Sequence, residues 1–140
     1  MADKGVISLI FDLKLSCLAK EEKIREELNL SPAEYKGILT IEPGSSLPCS
    51  KLSKAMGLSV SRGSRVIDKL IKNGYLKADS AAKDRRVMNV LLTSKGFRIQ
   101  TKIHNLLEEC ESIILSKFSK TELTSLENSL MKISKILITK

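Results

Sequence analysis

The sequence has no tryptophan, a single histidine, three cysteines and three prolines, and aromatic residues make up only 4% of it. One His and three scattered Cys leave too few ligands for a His-rich metal centre or a Cys–His cage, so neither a metal nor a cofactor is expected. Also missing are a paired acid/base constellation and a glycine-rich phosphate loop, which speaks against an enzyme. No apolar run approaches the roughly 20 residues that span a bilayer. The stretch Val6–Phe11 is interrupted by Asp12 and Lys14 and falls short of a secretory core, and Lys14 stands where a lipoprotein cleavage site wants an apolar residue. The cysteines, at 17, 49 and 110, are odd in number and widely spaced, which fits a reducing compartment better than a disulfide framework. A cytoplasmic protein without membrane contact is the expectation.

Basic charge is what the chain does have, and it is localised. The 140 residues carry 24 Lys+Arg against 16 Asp+Glu, a net of +8. Residues 49–98 alone hold twelve basic and three acidic residues, a net of +9, and the other ninety hold twelve and thirteen, a net of −1. Such a block within an otherwise near-neutral chain is the electrostatic footprint expected of a protein that grips phosphate backbones. A hydrophobic content of 42% at this length suits one domain or one intertwined protomer.

Periodicity and punctuation place the elements. Val6, Ile10, Leu13 and Cys17 recur at helical spacing and predict a helix over 6–18. Ser31-Pro32-Ala33-Glu34 is a capping box with Pro at the first helical position, opening a helix to about Ile41. Glu42–Ser46 reads as a loop, and a short helix follows from Pro48 to Met56, stopped by Gly57. Another begins at Ser59 or Val60, buries Val66, Ile67, Leu70 and Ile71, and ends at Asn73-Gly74. Two helices joined by a short glycine-containing turn make a helix-turn-helix. Tyr75–Asp79 and Arg86–Leu92 read as strands around a polar loop, Ser80–Arg85, with Met88, Val90 and Leu92 alternating against Asn89 and Leu91. Helix-turn-helix plus a basic hairpin is a winged helix.

From Lys95 the chain is helical again, with Ile99, Ile103, Leu106, Cys110 and Ile113 in one stripe. A second capping box, Ser119–Glu122, starts a last helix whose seam is Leu123, Leu126, Leu130, Ile133 and Leu137. The fold class is therefore mainly α with a small β-hairpin wing, a winged helix-turn-helix flanked by terminal helices. Its organisation is expected as 1–30 (dimerisation helix and connector), 31–96 (DNA-binding region) and 97–140 (dimerisation helices). The terminal stripes exceed what a monomer leaves wet, so a two-fold homodimer sharing those helices is expected.

Local strings now add a family resemblance. LSKAMGLSVSRGSRVIDKLIKNGYL, Leu52 to Leu76, resembles the helix-turn-helix of the multiple-antibiotic-resistance-regulator (MarR) family. Asp84-Arg85-Arg86 resembles its Asp-x-Arg wing signature, and Leu92-Thr93-Ser94-Lys95-Gly96 its Leu-Thr-x-x-Gly junction. The resemblance covers about 30–100 by motif and the flanks by helix layout. It implies a homodimeric transcription regulator on pseudo-palindromic double-stranded DNA, a repressor released by a small-molecule effector or by oxidation. The other class of reading, a winged helix kept for protein–protein contact, has no use for the +9 block and the arginine-bearing wing.

On the helix from Ser59, Ser61, Arg62, Arg65 and Lys69 fall away from Ile67 and Leu70. Ser61 and Arg62, in the first turn, are the base-contacting candidates, and Ser64, Arg65 and Lys69 the phosphate-gripping ones. Ser64-Arg65 matches the family's common Thr-Arg pair. In the wing, Lys83 and Arg85 are candidates for minor-groove or phosphate contact, and the resemblance makes Arg86 a further DNA-binding candidate, its side chain braced by Asp84. Gly63 departs from the family's bulkier residue on the buried side: either another helix approaches closely or this end of the helix adapts on DNA.

Cys17 and Cys49 are the candidate redox residues. Oxidation-sensing relatives carry a Cys on the first helix among tyrosines, but this chain has only Tyr35 and Tyr75. Cys49 has Lys51 nearby, and Cys110 reads as core. His104 with Glu108 one turn on reads as a surface helix pair rather than a ligand site. Tyr35, Phe11 and Phe97 read as core or pocket walls.

Overall fold

The computed structural model describes residues 5–80 and 88–139. Among them the helices are α1 (Val6–Leu28), α2 (Pro32–Thr40), α3 (Cys49–Ala55), α4 (Val60–Lys72), α5 (Ser94–Ser116) and α6 (Lys120–Ile138). The strands are β1 (Leu47–Pro48), β2 (Leu76–Ala78) and β3 (Asn89–Leu92). Serines set three of the helix starts. Ser31, Ser59 and Ser119 lie in extended backbone, and each side chain accepts a bond from the N–H three residues on. At Ser31 and Ser119 the returning glutamate carboxylate accepts from the serine's own N–H, completing both expected capping boxes. Hydrogen bonds from Ser119 hold the Glu122 carboxyl below the usual carboxylate range.

The first helix is longer than its apolar stripe predicts. Instead of stopping near Leu18, α1 continues to Leu28 and ends at Asn29, whose φ of 55° is left-handed. Its polar stretch Ala19–Lys23 masks the pattern, yet Ile24 and Leu28 beyond it are the helix's buried residues. Tyr35 packs there as the expected core residue, and burial pushes its phenol up, with Glu21 adding to the shift and Arg25 opposing it.

The core joins the helix-turn-helix to the sheet. Ile38, Ile41, Leu52, Ile67, Leu70, Leu76, Val90 and Ile103 are almost wholly removed from water. Each such side chain contributes about 1.5–3 kcal/mol. Val66 and Ile71, expected with them, are half-buried at the margin. The turn between α3 and α4 uses Gly57 at φ 73°, a left-handed conformation that a side chain would strain. Gly63 resolves the alternative posed by the sequence: a Cβ there would lie 2.3 Å from the Ser53 Cβ and 3.0 Å from its Cα. α3 and α4 cross so closely that only hydrogen fits.

The sheet runs in the order β1-β3-β2, antiparallel throughout. Leu47 pairs with Val90, and Leu76 and Ala78 pair with Leu92 and Val90. β1 lies in the stretch the sequence offers only as loop and helix start, because two residues carry no periodicity. β2 is shorter than Tyr75–Asp79. The described part of the second strand begins at Asn89, and Arg86 and Val87 of that prediction lie outside the described residues. Met88, predicted to share a face with Val90, is 48% exposed, although its carbonyl accepts from the Cys49 N–H just after β1.

The Leu-Thr-x-x-Gly string is a structural joint. The Thr93 hydroxyl donates to the Gly74 carbonyl and accepts from the Gly96 N–H, fastening the start of α5 to the turn after α4. A Cβ on Gly96 would lie 2.1 Å from the Tyr75 carbonyl oxygen. Lys95 donates to the Asn73 carbonyl at 2.8 Å and covers the Tyr75 ring, 4.9 Å from its centroid. One turn on, the buried Gln100 amide donates to the carbonyls of Ile38 and Ile41, both at 2.7 Å, closing the end of α2.

The chain divides into two compact units, Met1–Ile103 and His104–Lys140. In the first, none of the α1 residues before Ile24 is buried, although Val6, Leu9, Phe11 and Leu15 are large and apolar. Phe11 is therefore exposed rather than core. In the second, α6 buries no residue at all, and Cys110 is half-buried.

The Gly63 crossing is directly testable. Gly63→Ala should lower stability by about 1–3 kcal/mol in urea denaturation, the cost of overpacking outweighing the gain in helix propensity. In a Ser53→Gly background, which removes the side chain but leaves the Cα 3.0 Å away, the same change should cost less. An equal loss in both backgrounds would show that the contact is not the cause.

Candidate nucleic-acid interface

The charged surface is built on α4. Its buried residues are Gly63, Ile67 and Leu70, which seat the helix on α2 and α3. With 3.6 residues per turn, Ser61, Arg65 and Lys72 then point most directly outward, Arg62 and Lys69 lie on one flank, and Ser64 and Asp68 on the other. Ser61, Arg62, Ser64, Arg65 and Lys69 are all exposed, as the sequence leads one to expect. Packing explains it: every apolar position of α4's inner side is spent on the core.

The N-terminus of α4 is shaped by Ser59. Its Oγ accepts from the Arg62 N–H at 3.3 Å and lies 3.4 Å from the Ser61 Oγ. The first turn thus presents two hydroxyls and an arginine at the positive end of a helix. Beside them stands Val60, 69% exposed, which sequence reasoning took merely as a helix start. Its signal was its place straight after the cap, where burial is out of reach.

Lys69 is not a free cation. Its Nζ lies 3.8 Å from the Glu34 Oε1, and the Glu34 side chain is only 4% exposed against 64% for Lys69. The sequence marks Glu34 as half of a capping box and gives no hint of this second partner, because thirty-five residues separate the two. Lys95, counted in the +9 block, is likewise occupied, at the end of α4. The wing candidates Lys83, Asp84, Arg85 and Arg86 lie outside the described residues.

An open groove of about 450 Å³ lies at the foot of the hairpin, lined by Pro43, Gly44, Leu92, Thr93, Ser94, Phe97 and Arg98. Phe97 is thus the expected pocket wall, with a guanidinium beside it. Among the described residues there is no cluster of His, Cys, Asp and Glu able to hold a metal ion, and no helix long and apolar enough to cross a membrane.

Comparison with known proteins gives a consistent answer. The HTH-type transcriptional regulator BilQ of Clostridium symbiosum is 27% identical over 128 residues, which cover 90% of this chain and 86% of that protein. The reduced form of MarR from E. coli superposes with a TM-score of 0.74 at 20% identity, covering 95% of this chain and 98% of that one. Streptococcus pneumoniae FabT, solved in complex with DNA, also gives 0.74 at 20% identity, covering 92% and 96%. No family model matches the chain.

The cysteines lie apart from one another in role. Cys17 is exposed on α1, and Cys49 is half-buried at the start of α3. Burial pushes the Cys49 thiol up, and the Asp68 carboxylate pushes it further, against a lesser lowering from its backbone hydrogen bond. That direction opposes the thiolate its neighbour Lys51 suggests, since Asp68 of the adjacent helix is absent from the local sequence. Cys49 should therefore alkylate more slowly than an unperturbed cysteine at neutral pH. Asp68→Asn should narrow the gap, and a fast-reacting Cys49 in mass-spectrometric footprinting would contradict this.

Proposed function

We propose that this chain, which has the MarR-type winged-helix fold and whose sequence relatives are transcriptional regulators, is itself a sequence-specific DNA-binding transcription regulator. One observation carries the reading: α4 seals one side into the core and turns Ser61, Arg62, Ser64, Arg65 and Lys69 to solvent. A helix so mounted fits the major groove, with its first turn deepest. Arg62 pairs with guanine O6 and N7, Ser61 contacts base edges, and Val60 offers an apolar surface to a thymine methyl. Ser64, Arg65 and Lys69 fix the register on phosphates. Lys83, Arg85 and Arg86, the wing candidates of the sequence, add their charge to DNA binding.

The regulator acts as a homodimer. The support is the apolar surface left wet in a single chain, on the first half of α1 and separately along α6, where Leu126, Leu130, Ile136 and Leu137 are exposed. Two copies clasped through the terminal stretches 1–30 and 97–140 set two α4 helices to read half-sites one turn of DNA apart, hence a pseudo-palindromic operator. Occupying that operator represses the gene beneath it. The groove beside Phe97 and Arg98 suits a small effector, and its contact with the α5 start offers a route to α4. Of the two redox candidates, Cys17 is the exposed one, whereas burial and the Asp68 carboxylate push the Cys49 thiol up.

Gel shifts against selected and random duplexes at two salt concentrations test the whole. Arg62→Ala should relax sequence preference, at a cost of about 1–3 kcal/mol on the cognate site. Arg65→Ala should weaken all sequences alike and flatten the salt slope by about one unit. Equal effects of the two changes in cognate-versus-random competition would refute the division of roles, and a chain that binds no duplex is a protein-interaction module instead. For the assembly, Leu126→Asp or Leu130→Asp should split or unfold the dimer in sedimentation, each buried leucine there contributing about 1.5–3 kcal/mol. An unaltered dimer after both changes would contradict the clasp.

A further inference from the structure

We propose that Glu34 restrains Lys69, so that the recognition helix meets DNA with one of its cations already partly neutralised and the salt sensitivity of binding is set below what the charge count implies. This rests on the DNA-binding reading of α4. Glu34 is the acidic member of the α2 capping box: its Oε1 accepts from the Ser31 N–H at 3.1 Å, and its own N–H donates to the Ser31 hydroxyl at 3.1 Å. The carboxylate is therefore anchored by its own helix, whether or not Lys69 is present. It is also only 4% exposed.

Lys69 is the exposed partner. It lies one turn from Arg65 and two from Arg62 on the solvent side of α4, and 64% of its side chain is exposed. A phosphate approaching the ammonium meets a fixed negative charge just behind it. A cation that already holds a carboxylate 3.8 Å away neutralises less of a phosphate's charge, and so displaces fewer of the counterions condensed on the DNA. Glu34 thus acts through Lys69 as a positioning residue, without touching DNA.

Glutamine serves the same capping role as glutamate, so Glu34→Gln removes the charge and keeps the box. Binding to a random-sequence duplex across a salt series is measured for the unaltered chain, Glu34→Gln, Lys69→Met and the double variant, with a thermal melt of each. Glu34→Gln should steepen the salt slope by up to about 0.9 per protomer and tighten low-salt binding roughly threefold. Lys69→Met should flatten the slope by clearly less than that amount, and adding Glu34→Gln to it should change nothing. An unchanged slope in Glu34→Gln, or the same steepening without Lys69, overturns the proposal. Should Glu34→Gln fail to fold, Lys69→Met decides: loss of a full unit overturns the proposal, and a small loss supports it. If the unaltered chain binds no duplex, the DNA-binding reading falls and takes this one with it, whereas normal binding with a flat Glu34→Gln response sinks this one alone.

Discussion

The crossing of α3 and α4 at Ser53 and Gly63 governs what the rest of the molecule presents. With only hydrogen at position 63, the two helices approach until the backbone of one meets the Cβ of the other. Ile67 and Leu70 are thereby carried fully into the core, beside Leu52 and Ile38. Because that inner stripe is complete, nothing apolar on α4 needs its outer side, and that side is free to carry arginine, lysine and serine. A bulkier residue at 63 would tilt α4, and the geometry of its cations would follow. Fold and candidate interface are two sides of one packing constraint.

Much of this was legible in the sequence, for local reasons. Capping serines and left-handed glycines act within a few residues, so the starts of α2, α4 and α6 and the stops at Gly57 and Gly74 could be read directly. The exposed set Ser61, Arg62, Ser64, Arg65 and Lys69 followed from helical phase alone. Of the family-like strings, Asp84-Arg85-Arg86 lies outside the described residues. Leu-Thr-x-x-Gly is a joint: Thr93 donates to the Gly74 carbonyl and accepts from the Gly96 N–H, and the Tyr75 carbonyl leaves no room for a side chain at 96.

What escaped depends on pairs distant in the chain. Glu34 with Lys69, Asp68 beside Cys49, and Gln100 under α2 each join different helices, and no window of neighbouring residues contains both members. The continuation of α1 was hidden by its polar middle, and β1 by having only two residues. At Gly63 the sequence posed the right alternative, and only the position of Ser53 decided it.

Gln100 has a consequence beyond closure of a helix end. The terminal turn of a helix is normally its least costly part to open, since its last carbonyls can turn to water. Here two of those oxygens, from Ile38 and Ile41, are held by one amide that belongs to α5 and is itself shut away from solvent. The end of α2 therefore has no private fraying motion: it opens only when α5 withdraws. Amide hydrogen exchange at the last turn of α2 becomes a gauge of how firmly α5 is seated, a remote readout supplied by a single side chain.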